Sequence, residues 1–280
     1  MKYQNDIDKM NTNRNLFLMS LPIFVELLLQ LLVGNVDQMM VSRVSQPSVA
    51  AIVNANQIMN LVIIVLSMAS TAVTVILSQY LGAQDEKNAS RTCMVSIVLI
   101  GSVSLAATIL VFAGHTPLYR AIHVPEEVFD EASLYLLIVG AFILVQGLYL
   151  TFSAMIRAFA MVKEVMIISV IMNAMNIVGN AILINGWFGM PQLGAVGAAI
   201  STDISKLVGL TLMIGMFFKS RRVKMGMSYL RPFPVQILKN LCLLAIPTGV
   251  ESFSYNLSQM MILGIVNSFG TLVTVTKGYC

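Results

Sequence analysis

The 280 residues are 57% hydrophobic and 11% charged, where an ordinary soluble domain has about 25% charged residues. That excludes a water-soluble fold of this size, whose exterior would need far more polar side chains. The formal net charge of +4 comes from basic residues gathered between apolar blocks, so it is not read as a nucleic-acid signal.

Met1–Arg14 mixes Lys2, Lys9 and Arg14 with Asp6 and Asp8. No short apolar run with a small-residue cleavage site follows, so no removable signal peptide is expected. Seven apolar segments come next, near 16–41, 49–80, 92–113, 132–156, 165–185, 194–218 and 241–268. About 20 apolar residues cross the hydrocarbon core as a helix, and period-two alternation is lacking, so helical spans are predicted throughout. Helices also pair their own backbone N–H and C=O groups, which lipid cannot do. With the N-terminus in the cytoplasm, the even-numbered loops hold Lys87, Arg91, Arg157, Lys163 and the group Lys219, Arg221, Arg222, Lys224, Arg231 and Lys239. The opposite loops hold only Arg43 and Arg120. The positive-inside bias therefore predicts a multi-pass protein of the cell (plasma or inner) membrane with a cytoplasmic N-terminus. Cys93, Cys242 and Cys280 are scattered without CxxC spacing and read as packing residues.

Two spans echo each other. Leu21-Pro22-Ile23-Phe24-Val25-Glu26 in the first matches Ile246-Pro247-Thr248-Gly249-Val250-Glu251 in the seventh, each with Glu one helical turn after Pro. Six spans separate the copies, so both have the same orientation, as in two lobes related by an axis along the membrane normal. The predicted organisation is a six-helix lobe over 1–218, a basic cytoplasmic linker over 219–239 and the first helix of a second lobe over 240–280. On this reading the chain stops where an eighth span should begin, and the remaining second-lobe helices are expected partners.

Ionisable groups inside spans are costly and mark function by default. Glu26, Asp37, Asp203 and Glu251 qualify. Glu26 and Glu251, at matched repeat positions, either line a cavity that attracts cations or cap packing near helix ends. Asp203 has Lys206 three residues on, which suggests a structural ion pair facing the bundle, with a cavity role as the alternative. Asp37, flanked by Asn35 and Gln38, has no basic neighbour one turn away. It is either a lone carboxylate able to exchange a proton or small cation, or a boundary residue in water. Asn173, Asn176 and Asn180 fall on one face of the fifth span, where their amide oxygens can coordinate a hard cation or bond between helices. Gly197, Ser201, Ser205 and Gly209, spaced by four in the sixth span, form a small-residue ridge for close packing.

Three short motifs resemble the multidrug and toxic-compound extrusion (MATE) family. They are Val36-Asp37-Gln38-Met39-Met40-Val41-Ser42-Arg43 in the first span, Gln79-Tyr80-Leu81-Gly82-Ala83-Gln84-Asp85 after the second, and Gly194-Ala195-Val196-Gly197-Ala198-Ala199-Ile200-Ser201-Thr202 opening the sixth. The resemblance covers nearly the whole chain. It implies an all-α polytopic fold of twelve helices in two six-helix lobes, of which this chain supplies the first lobe and one helix of the second. It also implies antiport: export of small organic, often cationic or amphipathic compounds in exchange for protons or sodium ions, with no cofactor. On that pattern Asp37 is the coupling carboxylate, Asn176 and Asn180 the fifth-helix polar pair, Thr202 a sixth-helix hydroxyl and Tyr135 a fourth-helix tyrosine. Many members carry Asp where this chain has Asn180, so a sodium site at Asp37, Asn176 and Asn180 has one acid fewer. A flippase for a lipid-linked saccharide, of related architecture, is the alternative. Neither HExxH nor paired Asp motifs occur, so an enzyme is not expected.

Overall fold

The computed structural model describes residues 21–26, 28–29, 39–42, 46–189 and 191–279. Residues 21–26 are helical. Beyond them run α1 (Gln46–Gly82), α2 (Glu86–Ala121), α3 (Glu126–Ala141), α4 (Ile143–Ala158), α5 (Val162–Asn185), α6 (Gly194–Ser220), α7 (Val235–Asn267) and α8 (Thr271–Tyr279). Among the described residues α1, α2, α5 and α6 are each long and apolar enough to cross a membrane, and the bent pair α3–α4 makes a fifth span. No strand occurs among the described residues, as the missing period-two pattern requires.

Local chemistry sets the ends. Asp85 caps α2, its carboxylate accepting from the Asn88 backbone N–H at 3.0 Å and the Asn88 amide at 2.7 Å. These bonds hold the exposed Asp85 carboxyl below its ordinary range. Gly186, at φ 73°, ends α5 in the left-handed conformation that costs glycine least.

The predicted fourth span is not one continuous helix. It breaks at Phe142 and turns by 46° between α3 and α4. No proline is responsible. Thr108 of α2 reaches the Gly140 carbonyl with its hydroxyl at 3.4 Å, and α2 comes so close that a Cβ on Gly140 would meet Val111 Cγ1 at 2.9 Å. A hydroxyl inserted beside an interrupted backbone ladder is a recognised cause of a sharp kink. The break was hidden because the residues on both sides are apolar.

The bundle has two chemically distinct ends. At one, α4 and α6 finish together, Phe217 stacking edge-on to Phe152 at 5.4 Å and lying 5.6 Å from Phe159, while Arg222 shares a recess with the α1–α2 turn. At the other, Ser48 donates to Glu131 at 2.5 Å and Thr271 to Glu127 at 3.2 Å. Basic loops thus gather at the first end and Glu126, Glu127 and Glu131 at the second.

Lipid offers helices little hydrophobic drive to associate, so close packing must hold them together. The small-residue ridge of α6 supplies it against α5. A Cβ on Gly197 would sit 2.6 Å from the Leu183 carbonyl oxygen, and one on Gly209 would sit 2.8 Å from Met172 Sδ. The obstacle at Gly197 is backbone, which cannot step aside. Gly197→Val is therefore expected to lower stability by about 1–3 kcal/mol, read as a fall in Tm in detergent. Gly215→Ala, with no atom within 4 Å of the added Cβ, should leave Tm unchanged.

Candidate ion-coupling site

The three fifth-span asparagines all turn inward: Asn173 is 9%, Asn176 5% and Asn180 0% exposed. Two of them form a line of polar groups that crosses to α6. The Asn180 amide donates to Asn176 Oδ1 at 3.4 Å, and the Asn176 amide donates to Thr202 Oγ1 at 3.1 Å. Ser201 Oγ fixes the same level by donating to the Asn176 carbonyl at 2.9 Å. The geometry follows from the helix period, since Asn176 and Asn180 are one turn apart and the Gly197–Gly209 ridge lets α6 approach. The result is a set of amide and hydroxyl oxygens inside the bundle, the ligand type suited to a hard cation or to donation toward a carboxylate.

Of the other residues implied by the resemblance, Tyr135 is buried on α3, and its hydroxyl donates to Asn56 Oδ1 of α1 at 3.4 Å. Asp37 lies outside the described residues, as does the side chain of Glu251. No group of three or more His, Cys, Asp or Glu able to hold a metal ion occurs among the described residues. Asp203 is 1% exposed, and neither carboxylate oxygen has a hydrogen-bond partner. Neither oxygen therefore accepts a hydrogen bond from Lys206, three residues on.

Glu26 stands apart from the asparagine line. Its carboxylate, 3% exposed, accepts from Arg157 Nη2 at 2.8 and 3.0 Å, through Oε1 and Oε2 respectively, and from Ser169 Oγ at 3.0 Å. Tyr149 OH lies 3.0 Å from Ser169 Oγ and extends the cluster. Ser169 is seven residues before Asn176, about 10 Å along a helix, toward the basic end. Glu26 thus pins the first span to α4 and α5. Reading the sequence assigned Arg157 to a basic loop and did not single out Ser169 or Tyr149. The available signal was an Arg ending one span at the same depth as an acid in another.

A second buried network was also missed. Asn267 of α7 donates to Asn54 Oδ1 of α1 at 2.7 Å and to the Ile122 carbonyl at 2.9 Å, and Thr274 Oγ1 donates to Asn267 Oδ1 at 2.9 Å. It ties α7 and α8 to α1 near the acidic end. The cluster of Asn54, Asn56, Gln57 and Asn60 within an apolar span was its visible trace.

Fold and site together define a multi-pass helical membrane protein with a polar core. Residues 22–182 match the MatE family. The chain is 37% identical over 265 residues to the uncharacterized transporter YisQ of Bacillus subtilis (strain 168), covering 95% of this chain and 58% of that protein. It is 26% identical over 258 residues to a probable multidrug resistance protein NorM of Thermotoga maritima, covering 90% and 54%. The chain therefore belongs to the MATE family, and it spans a little over half the length of these curated relatives. In fold it is similar to an inward-facing MATE family transporter of the MOP superfamily, with a TM-score of 0.80 at 21% identity over 89% of this chain and 56% of that one. It is likewise similar to a MATE transporter in its bent conformation, with a TM-score of 0.77 over 92% and 57%.

Removing one partner of a buried ion pair costs more than removing both, because the other charge is left stranded. Arg157→Ala is expected to lower stability by about 3 kcal/mol. The double variant Glu26→Gln with Arg157→Gln should lose clearly less. Thermal unfolding in detergent distinguishes the two.

Proposed function

We propose that the protein of which this sequence is part is a secondary active antiporter that exports organic, often cationic compounds in exchange for protons, with sodium ions the less favoured coupling ion. The observation that carries the reading is the buried line from Asn180 through Asn176 to Thr202. An amide–hydroxyl line inside a bundle is costly to keep in lipid and useful where a carboxylate must change its ionic state. The first-span motif resemblance makes Asp37 the candidate for that carboxylate. Asn180 in place of a second acid lowers the negative charge available to sodium and so favours the proton.

Residues 1–218 form one lobe in this proposal, 219–239 the linker and 240–280 the start of a second lobe. The basic end faces the cytoplasm, in keeping with the concentration of Lys and Arg there and of Glu at the other end. In alternating access, Asp37 takes up a proton from outside, the helices around it shift, and the cavity's hold on substrate weakens. Coupling requires ion and substrate to prefer different states.

In the full-length protein, Asp37→Asn is expected to abolish efflux driven by a proton gradient while leaving membrane insertion intact; undiminished coupled efflux would remove Asp37 from the mechanism. Asn180→Asp restores the second acid and is expected to add sodium-dependent efflux, measured by imposing a sodium gradient alone.

A further inference from the structure

Asp203 is a buried carboxyl that the coupling scheme above leaves unused. It is 1% exposed, and both carboxylate oxygens lack a hydrogen-bond partner. Its place in the bundle can be fixed from contacts on either side. Ser201 and Ser205 share the α6 face turned to α5, since Ser201 bonds the Asn176 carbonyl. At 100° per residue, Asp203 lies on the opposite side of α6, the side of Phe217, which packs on Phe152 and Phe159 of α4. Along the axis, Gly194 sits against Glu131 of α3 and Gly209 against Tyr149 of α4. Interpolating between those two contacts puts Asp203 level with the break at Phe142. Asp203 therefore occupies the depth at which the fourth span turns by 46° and its backbone ladder is interrupted.

The charged and titratable surroundings are sparse. On α6 there is Lys206, one turn toward the basic end. On α3 there is Tyr135, bonded to Asn56, and further toward the acidic end Glu131, bonded to Ser48. On α4, Tyr149 lies beside Ser169 and Arg157 is held by Glu26. Between Gln46 and Gln79, α1 has no ionisable residue, and on α5 Lys163 and Glu164 stand only in the first turn. A carboxylate with no donor and almost no exposure neutralises rather than remain charged. A hard cation such as sodium would need several oxygen ligands gathered around it, and the carboxylate oxygens of Asp203 stand without a bonded neighbour to organise such a shell.

We propose that Asp203 is a second proton-binding site of this lobe, holding a proton in the conformation described and exchanging it when α6 moves against the α3–α4 bend. It supplies the acid that Asn180 does not. Its part in coupling rests on the proton-antiport reading above; its occupancy by a proton does not.

The test uses the full-length protein in liposomes, with two readouts. The first is modification by a hydrophobic carbodiimide, which reacts with protonated carboxyls out of water, mapped by mass spectrometry from acidic to alkaline pH. The peptide containing Asp203 is expected to be modified at neutral pH, less so in alkaline medium, and not at all in Asp203→Asn. The second is the number of protons moved per substrate, expected to fall by about half in Asp203→Asn if the two acids contribute equally. Because Asn mimics the neutral acid in shape, this variant should fold. An Asp203 that stays unmodified at every pH, while other carboxyls react, would overturn the proposal, as would a wild-type proton-to-substrate ratio in Asp203→Asn. Efflux that runs on sodium alone, with Asp203 still modified, would refute proton antiport and leave the proton site standing.

Discussion

A polar or ionised side chain inside a bundle has no water to fall back on, so each one must find its partners in the protein or change its charge. That constraint organises this chain. Glu26 meets it with Arg157 and Ser169. Asn267 meets it with Asn54, Thr274 and the Ile122 carbonyl. Asn176 meets it by donating to Thr202 while accepting from Asn180 and, at its carbonyl, from Ser201. These clusters are also where helices distant in sequence are joined: the first span to α4 and α5, α7 and α8 to α1, and α5 to α6.

The clusters are spread along the length of the bundle. The Glu26 cluster lies at the basic end and the Asn267 cluster near the acidic end, with the asparagine line between them. Each of the outer clusters bonds helices that are distant in sequence. Between them, the α5–α6 seam is tightly packed, because Gly197 brings α6 against the Leu183 backbone and Gly209 brings it against Met172. The α3–α4 pair, by contrast, is bent by 46° where its ladder breaks at Phe142.

Much of the fold was legible because membrane spans announce themselves by length and apolarity. The second, third, fifth and sixth predicted spans each lie within a single helix, and α7 begins four residues before the predicted linker ends. The inward face of Asn173, Asn176 and Asn180 was legible from spacing alone, and so was the packing role of the Gly197–Gly209 ridge. The bend at Phe142 was not, since Thr108, which bonds the Gly140 carbonyl there, lies 32 residues before Gly140, and a lone glycine among apolar residues is a weak local signal. The Glu26–Arg157 pair was not either, because its members are 131 residues apart and one of them resembled a topology signal. Spacing could place Lys206 one turn from Asp203 but could not show that the carboxylate goes unbonded. Long-range pairing is what a one-dimensional pattern cannot carry.

The measurement that bears most directly on the coupling role of the buried asparagine line is substrate efflux from proteoliposomes of the full-length protein, with a proton gradient and a sodium gradient imposed in turn. Efflux is expected with the proton gradient alone and to be weak with sodium alone. Efflux driven only by sodium, or equally fast with neither gradient, would contradict proton antiport through the asparagine line.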